Sequence, residues 1–277
     1  MRNLQYSGIG GMGMDVKIIV ATHKKYPMPD DPIYLPVHCG REGKDDIGYQ
    51  GDDTGNNISA KNPYFAELTG LYWAWKNLRS DYIGLVHYRR HFGHRARRGA
   101  PFSNVLSHGD IALLLGRIKV FLPQKRRYYI ETLYSHYAHI AFAEHLDITR
   151  EIISELYPEY IESFNEVVCR RWGYMFNMMI MQEKLVDEYC TWLFDILFEL
   201  KNRVDSSQMS DFHLRFCARV GEILLNVWLE CQVEQGRIKR SEIRELPYVH
   251  MEKVDWIKKG GAFLKAKFLH QKYERSF

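Results

Sequence analysis

The chain has 277 residues, of which 46% are hydrophobic and 26% charged, so it can bury a core and is not globally disordered. Five cysteines form no C-x-x-C pair and no apolar run reaches about 18 residues, which disfavours a disulfide scaffold and a membrane span and predicts a reducing, cytosolic setting. The net charge is +4, and a surplus of five positive charges over residues 253–277 leaves the rest of the chain at −1.

The first segments predict a sheet edge that can bind a ligand. Residues 1–13 read as a disordered or non-native leader. Val16–Thr22 is a β-branched apolar run typical of a strand buried on both faces, and it delivers Thr22 and His23 to its carboxyl end, where open α/β sheets bind ligands. Residues 26–62 are turn-rich and predict a long loop with one short strand at Ile33–Val37.

A helix and a second central strand follow. Asn62 is expected to be the N-cap of a helix with Pro63 in its first turn. The apolar stripe of that helix repeats at helical spacing. It consists of Phe65, Leu68, Tyr72 and Trp75. Asp81–Tyr88 predicts a strand that carries His87, Tyr88, Arg89 and Arg90 at its end.

The rest of the chain continues the alternation of strands and helices. Predicted strands are Ile118–Leu122 and Tyr174–Met181, and predicted helices are Asp110–Arg117, a helix capped by Asp147 and interrupted by Pro158, Glu183–Arg203 and Asp211–Gln232. The pattern predicts one α/β domain over residues 14–252, with a mixed, mostly parallel central sheet flanked by helices. A basic aromatic tail over residues 253–277 follows it.

Common enzyme signatures are absent. The chain has no P-loop, no G-x-G-x-x-G after a strand, no G-x-S-x-G elbow and no H-E-x-x-H. His87, His91 and His94 have a spacing that would suit a metal on a helix, but the segment enters them as the end of a strand. The sequence therefore predicts no metal site there.

Several segments together resemble one bacterial family. The central block consists of Asn56–Ser59, Lys61–Pro63, Glu67–Asn77 and Gly84–Arg90, and further matches are Ile18–Lys24, Leu122-Pro123, Tyr189–Phe194, Leu224–Leu229 and Gln235–Ile238. These runs resemble glycosyltransferases of capsular polysaccharide and O-antigen gene clusters, a family long known as an uncharacterised domain. The likeness covers roughly residues 14–245. One departure is Ile223, which stands after Glu222 where the family commonly has arginine.

The resemblance implies a fold and an activity. It implies a GT-A-like enzyme that moves a hexose, galactofuranose or galactose, from a UDP-sugar to a lipid-linked saccharide in capsule or O-antigen (lipopolysaccharide) synthesis. Such an enzyme would be cytoplasmic and peripheral at the inner face of the plasma membrane. Transfer is expected to invert the anomeric centre.

The leaving diphosphate needs its negative charge stabilised as the glycosidic bond breaks. Many nucleotide-sugar transferases hold a divalent metal with Asp-x-Asp, and this motif does not occur in the chain. Arg89 and Arg90 stand where it would lie, so we expect them to bind the diphosphate, with His87 or His23 as a hydrogen-bond donor. No cofactor is certain, although a divalent metal held by other ligands stays open.

An inverting transfer also needs a general base for the acceptor hydroxyl. Glu67 and Glu222 are the two candidates, and either could equally be a structural carboxylate. The remaining candidates for substrate binding are polar or aromatic side chains in the resembling segments and strand ends. They are Thr22, His23, Asn57, Ser59, Trp73, Trp75, Lys76, Tyr88 and Asn177. The two tryptophans could stack on a sugar or uracil ring, or form part of the core.

Two other classes of function fit parts of the sequence. Basic clusters among aromatic residues also suit a nucleic-acid-binding protein, but the positive surplus lies in one tail, so no nucleic-acid partner is expected. A non-catalytic adaptor of polysaccharide assembly is the other alternative, which the departure at Ile223 keeps open. The tail carries seven basic residues among aromatics and is expected to dock on an anionic membrane.

Overall fold

The computed structural model describes residues 13–94 and 101–252. The predicted leader, apart from Gly13, and the basic aromatic tail lie outside these residues. No helix within the described part of the chain is long and apolar enough to cross a membrane.

The described residues form a mixed central sheet and a small ribbon. The strands are β1 Val16–Thr22, β2 Tyr34–His38, β3 Gln50–Gly51, β4 Tyr82–His87, β5 Arg90–Phe92, β6 Val120–Pro123, β7 Arg126–Arg127, β8 Trp172–Gly173, β9 Met179–Gln182, β10 Ile243–Leu246 and β11 Tyr248–His250. The main order is β10-β6-β9-β4-β1-β2-β3, and only β9 runs antiparallel to its neighbours along this path. β5 pairs with β4 and β11, and β7 pairs with β8.

Helices flank this sheet. They are α1 Asn62–Phe65, α2 Leu68–Asn77, α3 His108–Ile111, α4 Leu133–Ile140, α5 Glu144–Leu156, α6 Ile161–Cys169, α7 Glu183–Arg203, α8 Asp211–Leu214 and α9 Phe216–Glu234. The predicted mixed α/β architecture with a mostly parallel sheet is confirmed.

The two central strands divide their side chains between two cores because successive residues of a strand face opposite sides. Ile19 and Leu85 enter the large core that includes α2, α7 and α9, whereas Ile18 and Val86 enter a smaller core on the other face. All four side chains are fully buried. Burial on both faces explains why both strands are continuous apolar runs.

The predicted helix at Asn62 is two short helices. Ala66, with φ 45° and ψ −123°, interrupts it between α1 and α2. Asn62 is the first helical residue and not the N-cap, which is Lys61. The Asn62 amide instead donates to the Ala66 carbonyl and the Thr69 hydroxyl, so its side chain stabilises the break.

The predicted strand at Tyr174–Met181 is wrong in its first half. Only Met179–Gln182 forms β9, because Phe176 and Asn177 have φ values of 76° and 53°, which no strand residue adopts. Asp147 is also not an N-cap, since it lies inside α5. The predicted helix at Asp211–Gln232 is divided at Arg215 into α8 and α9.

Candidate active site

A cavity of about 440 Å³ opens at the carboxyl ends of the parallel strands β1 and β4. Thr22 and His23 reach it from β1, and His87, Tyr88 and Arg89 reach it from β4. The rest of its wall comes from β1, the turn-rich loop, α1 with the break that follows it, and α8 with its end. These residues are Ala21, Cys39, Lys44, Asn62, Pro63, Ala66, Glu67, Asp211, Leu214 and Arg215. We call this the first cavity. It lies where open α/β sheets bind ligands.

The first cavity has a positive bias. Lys44, Arg89 and Arg215 face it together with two carboxylates, Glu67 and Asp211. The pKa of His23 is lowered mainly by burial. The nearby positive charges lower it further, because they disfavour a second cation; they are Lys24, Arg215, Arg89 and Lys44. This surplus of cations suits an anionic ligand.

His87 is fixed in one tautomer by its contact with the chain. Its Nε2 lies 2.6 Å from the carbonyl oxygen of Phe176, and because a carbonyl only accepts, Nε2 carries the proton. Burial lowers the pKa of His87, which favours the neutral ring. A neutral His87 therefore has no N–H left to donate to a diphosphate, contrary to the expected donor role, and Nδ1 is an acceptor.

Glu67 is held by the left-handed turn at Phe176 and Asn177. The Asn177 amide donates to Glu67 Oε1 at 2.7 Å and to the Ala218 carbonyl at 3.0 Å. The turn thus connects a wall of the first cavity to α9. Asn177 is buried, so it is placed to orient Glu67 and not to meet a ligand directly.

Arg89 and Arg90 project into different surroundings. The Arg89 side chain is 45% exposed at the first cavity and lies 3.6 Å from Glu252. The Arg90 guanidinium stacks at 3.6 Å on the Phe176 ring, and its Nε is buried with no hydrogen-bond partner among the described residues. Two neighbouring residues of the chain thus place one cation at the first cavity and the other against the Phe176 ring.

Beyond Phe176 lies a second cavity of about 150 Å³. Its lining consists of Arg126, Tyr128, Leu133, His136, Tyr137, Ile140, Met175, Phe176, Arg219, Glu222 and Ile223. The Glu222 carboxylate accepts the Phe176 backbone N–H at 3.0 Å. The pKa of Glu222 is raised above its ordinary value, mainly by burial. The positive charges of Arg126 and Arg90 favour the ionised carboxylate and reduce this shift without reversing it.

The two predicted bases therefore lie on opposite sides of one turn. Glu67 faces the first cavity and Glu222 faces the second, and both hold the segment Phe176–Asn177. Of the other candidates, Thr22, His23, His87, Tyr88 and Arg89 are brought together in the first cavity.

Five candidates lie away from both cavities. Trp73 donates to the Thr54 hydroxyl, and Trp75 donates to Asp187 and stacks in parallel on Phe194. Lys76 Nζ lies 3.2 Å from the Trp75 ring centre. The other two are Asn57, which accepts from the Ser59 backbone, and Ser59, which donates to buried Asp52. Their contacts stabilise the fold and the loop.

Sequence reasoning missed eight polar residues of the two cavities, and five of them matter for the charge and the hydrogen bonding there. Lys44 lies in the loop without a motif, and Arg215 and Arg219 are spaced one helical turn apart near the start of α9. Arg126 lies in β7, which pairs with β8 in the short ribbon, and Tyr128 directly follows β7. The spacing of the two arginines near α9 was a usable signal, but only the tertiary fold shows that this end of the helix meets the sheet.

Comparison with known proteins agrees with this geometry. The family model described as domain of unknown function DUF4422 matches residues 17–234. A solved structure of the WbbM bifunctional glycosyltransferase in its apo form is similar at 28% sequence identity and a TM-score of 0.77, over 86% of this chain. The match covers 46% of the WbbM chain, so this chain spans less than half its length. No protein in a search of curated proteins matches.

The likeness to WbbM supports a glycosyltransferase role, and it confirms the glycosyltransferase-like part of the predicted resemblance. The sugar, the acceptor and the pathway stay predictions. Because the family model extends over most of the domain, from β1 to the end of α9, the chain belongs to the DUF4422 family.

Proposed function

We propose that this protein is a glycosyltransferase that moves a hexose from a UDP-sugar to a saccharide acceptor. The observation that carries the proposal is the first cavity, which opens at the carboxyl ends of β1 and β4 with a surplus of cations in a domain similar to a glycosyltransferase. A nucleoside diphosphate has the charge to fit such a cavity. The resemblance of the sequence favours a galactofuranose or galactose donor.

The diphosphate would lie against Arg89, with Lys44 and Arg215 on the other walls. Fixed cations stabilise a leaving group in the transition state without reorganising, and this is where such sites gain most of their rate. The Arg90 guanidinium stacks on the Phe176 ring, so Arg90 would affect the site through its charge and by holding that ring in position. This arrangement modifies the paired role expected for Arg89 and Arg90.

Glu222 is the better placed of the two candidate bases. A general base works best when its pKa lies near the operating pH, and burial moves the pKa of Glu222 in that direction. An inverting transfer would require the hydroxyl of an acceptor in the second cavity to attack the anomeric carbon on the face opposite the leaving diphosphate, while Glu222 takes its proton. Glu67 would then help to position the donor.

The acceptor is proposed to be lipid-linked, and the protein to act at the inner face of the plasma membrane. Glu252 is the last described residue before the tail, and its carboxylate lies 3.6 Å from Arg89, a residue of the first cavity. The tail over residues 253–277 follows Glu252 directly in the sequence. A tail bound to an anionic membrane would keep enzyme and lipid-linked acceptor in one plane.

A donor titration tests the proposal. Purified protein is titrated with UDP, UDP-galactose, UDP-galactofuranose and GDP-mannose by calorimetry, with and without EDTA. We expect the uridine compounds to bind, to lose affinity in Arg89→Met, and to bind equally in EDTA, because Arg89 replaces the role of an Asp-x-Asp metal site. If no nucleotide sugar binds, the proposal is contradicted. If EDTA abolishes binding, the metal-free form of the proposal is contradicted.

Two further assays would distinguish the proposed glycosyltransferase from the two alternative classes of function. Donor binding without transfer to any acceptor or to water would favour a non-catalytic adaptor. Binding to RNA that weakens steeply with salt would favour a nucleic-acid-binding protein instead.

A further inference from the structure

The second cavity contains polar groups that the fold leaves without partners. The Tyr128 hydroxyl and Arg219 Nη1 are both buried without a hydrogen bond to any described residue, and both residues line the cavity. Tyr128 is only 6% exposed. Buried polar groups are nearly always paired, so an unpaired hydroxyl and an unpaired guanidinium N–H in one small cavity indicate a missing partner.

The charges around this cavity do not balance. Three guanidinium groups, those of Arg90, Arg126 and Arg219, interact electrostatically with Glu222, and a second carboxylate, Glu131, lies 2.9 Å from His136 Nδ1. Three positive charges therefore stand against two carboxylates. Within residues 13–94 and 101–252, no carboxylate oxygen lies within 4.0 Å of a guanidinium nitrogen of Arg90, Arg126 or Arg219. The pKa of His136 is lowered to about 4, mainly by burial, so this ring adds no cation at neutral pH.

Other contacts hold these groups in place. Arg219 Nη2 donates to the Phe212 carbonyl at 2.6 Å, and its guanidinium lies 3.9 Å from the Phe212 ring centre. The Tyr128 ring lies between the Arg126 guanidinium, at 5.0 Å, and the His136 ring, at 4.3 Å. The unpaired donors are therefore preorganised, which lowers the entropy cost of binding.

The remaining wall of the cavity is apolar. It is formed by Leu133, Ile140, Met175, Phe176 and Ile223. Apolar and aromatic surface beside fixed polar groups suits the face of a sugar ring. The volume of about 150 Å³ is far below the 440 Å³ of the first cavity, so it fits one small group and not a nucleotide sugar.

We propose that the second cavity is an acceptor subsite that recognises an oxyanion, a carboxylate or a phosphate, attached to the acceptor sugar. Arg126 and Arg219 would bind the oxyanion and Tyr128 would donate its hydroxyl to it, while Glu222 lies beside the adjoining hydroxyl groups. The assignment of this ligand to an acceptor rests on the function proposed above. The recognition of the oxyanion itself rests only on the residues of the cavity.

The experiment uses three small probes on the full chain. Galacturonate, inorganic phosphate and the neutral control galactose are titrated by calorimetry, each without UDP and at saturating UDP. We expect an anionic probe to bind in both conditions and galactose to bind much more weakly. Galacturonate as the tighter probe would indicate an acidic sugar, and phosphate as the tighter probe would indicate the phosphate of a lipid-linked acceptor.

Variants locate the binding. Arg219→Met should weaken the anionic probe about tenfold or more, and Tyr128→Phe, which removes one oxygen atom, should weaken it about threefold. Glu222→Gln should tighten it, because a repelling charge is removed. Arg79→Met, at an exposed arginine that lines neither cavity, is the matched control and should leave it unchanged.

Three results would overturn the inference. They are galactose binding as tightly as both anionic probes, loss of all binding of the anionic probe at saturating UDP, and, at saturating UDP, loss of anion binding in Arg89→Met but not in Arg219→Met. Tyr128→Phe keeps the ring and its packing, so it remains informative if Arg219→Met fails to fold. Failure of UDP to bind would overturn the proposed function while leaving the anion result intact.

Discussion

Arg89 and Arg90 are adjacent in sequence but differ in burial, so their substitutions should separate two effects. Arg89→Met removes a half-exposed cation from the first cavity. We expect transfer to fall about 100-fold or more with little change in melting temperature, because one preorganised donor is lost. Arg90→Met removes a cation stacked on Phe176 and should reduce both transfer and stability.

The matched control for these arginines is Arg79→Met, an exposed arginine that contacts only the adjacent Leu78 carbonyl. It should keep wild-type transfer and stability. Initial rates with the donor identified by titration, together with thermal melts, measure all three variants. Equal rates for Arg89→Met and Arg79→Met would contradict a role of Arg89 at the diphosphate.

Glu222→Gln should make the protein more stable and less active at once. The pKa of Glu222 is raised in the folded state, so its ionised form is disfavoured there relative to the unfolded chain, whose glutamates titrate near pH 4.3. The stability from this group is therefore present below about pH 4.3 and lost as pH rises through the folded pKa. Glutamine escapes this cost and still accepts the Phe176 N–H.

The measurement is a series of thermal melts and rates between pH 4 and pH 8. The melting temperature of Glu222→Gln should exceed that of the wild type at pH 8, and the gap should close as the pH falls. Transfer should drop about 100-fold or more, as expected for loss of a general base. Glu151→Gln, at an exposed position on α5, is the control, and an unchanged rate in Glu222→Gln would eliminate Glu222 as the base.

At the residue scale, the sequence predicted which side chains lie at the edge of the sheet better than where they point. Five of the candidates meet in the first cavity because they lie at the carboxyl ends of β1 and β4. The sequence predicts these strand ends, but only the fold shows that the two strands are neighbours. Trp73 and Trp75 lie on α2, and periodicity does not tell which face of a helix meets a ligand and which meets another helix. Here both indoles pack and donate inside the fold.

Among the elements, the Phe176–Asn177 turn is the one that separates the two cavities. Both residues have positive φ, and left-handed backbone costs an ordinary residue roughly 1–2 kcal/mol. Asn177→Gly and Asn177→Ala both remove the amide that holds Glu67. The alanine variant also bears the backbone strain, so it should be less stable than the glycine variant by roughly 1 kcal/mol.

Urea unfolding measures this pair, with stabilities compared at equal m-values. Both variants should lose transfer activity, since Glu67 loses its partner in each. An alanine variant as stable as the glycine variant would show that the turn adopts another backbone in solution. Wild-type transfer in either would show that Glu67 needs no such support.

The elements that were predicted correctly are those buried on both faces or strongly periodic. β1 and α7 have the predicted bounds because their apolar patterns are long and uninterrupted. The predicted strand is longer than β9 because the apolar residues on either side of Asn177 suit a strand. Asn177 itself was a local signal, since asparagine is depleted in strands and tolerates the left-handed backbone of a turn. The cause of the turn is tertiary, namely the bonds from His87, Glu67 and Glu222.

At the scale of the whole molecule, the proposed role of the tail is to hold the protein on an anionic membrane. A protein ending at Glu252 should lose binding to anionic vesicles while it keeps UDP binding, because seven basic residues leave and each contributes roughly 1 kcal/mol near an anionic surface. Co-sedimentation with phosphatidylserine-rich vesicles measures this, and phosphatidylcholine vesicles are the control. Equal binding by both proteins would place the contact on the domain, where Tyr129 and Ile130 are exposed.

The pairing of β11 with β5 affects how the chain folds while it is being synthesised. His250 pairs with Arg90 and the Met251 N–H donates to the Arg89 carbonyl, so the strand beside the first cavity is flanked by residues synthesised about 160 positions later. At about 5–20 residues per second, roughly 8–30 s pass on the ribosome before that partner exists. During this time β5 has an unpaired edge, which can template aggregation. Nascent chains stalled before residue 243 should therefore neither bind donor nor remain soluble without a chaperone.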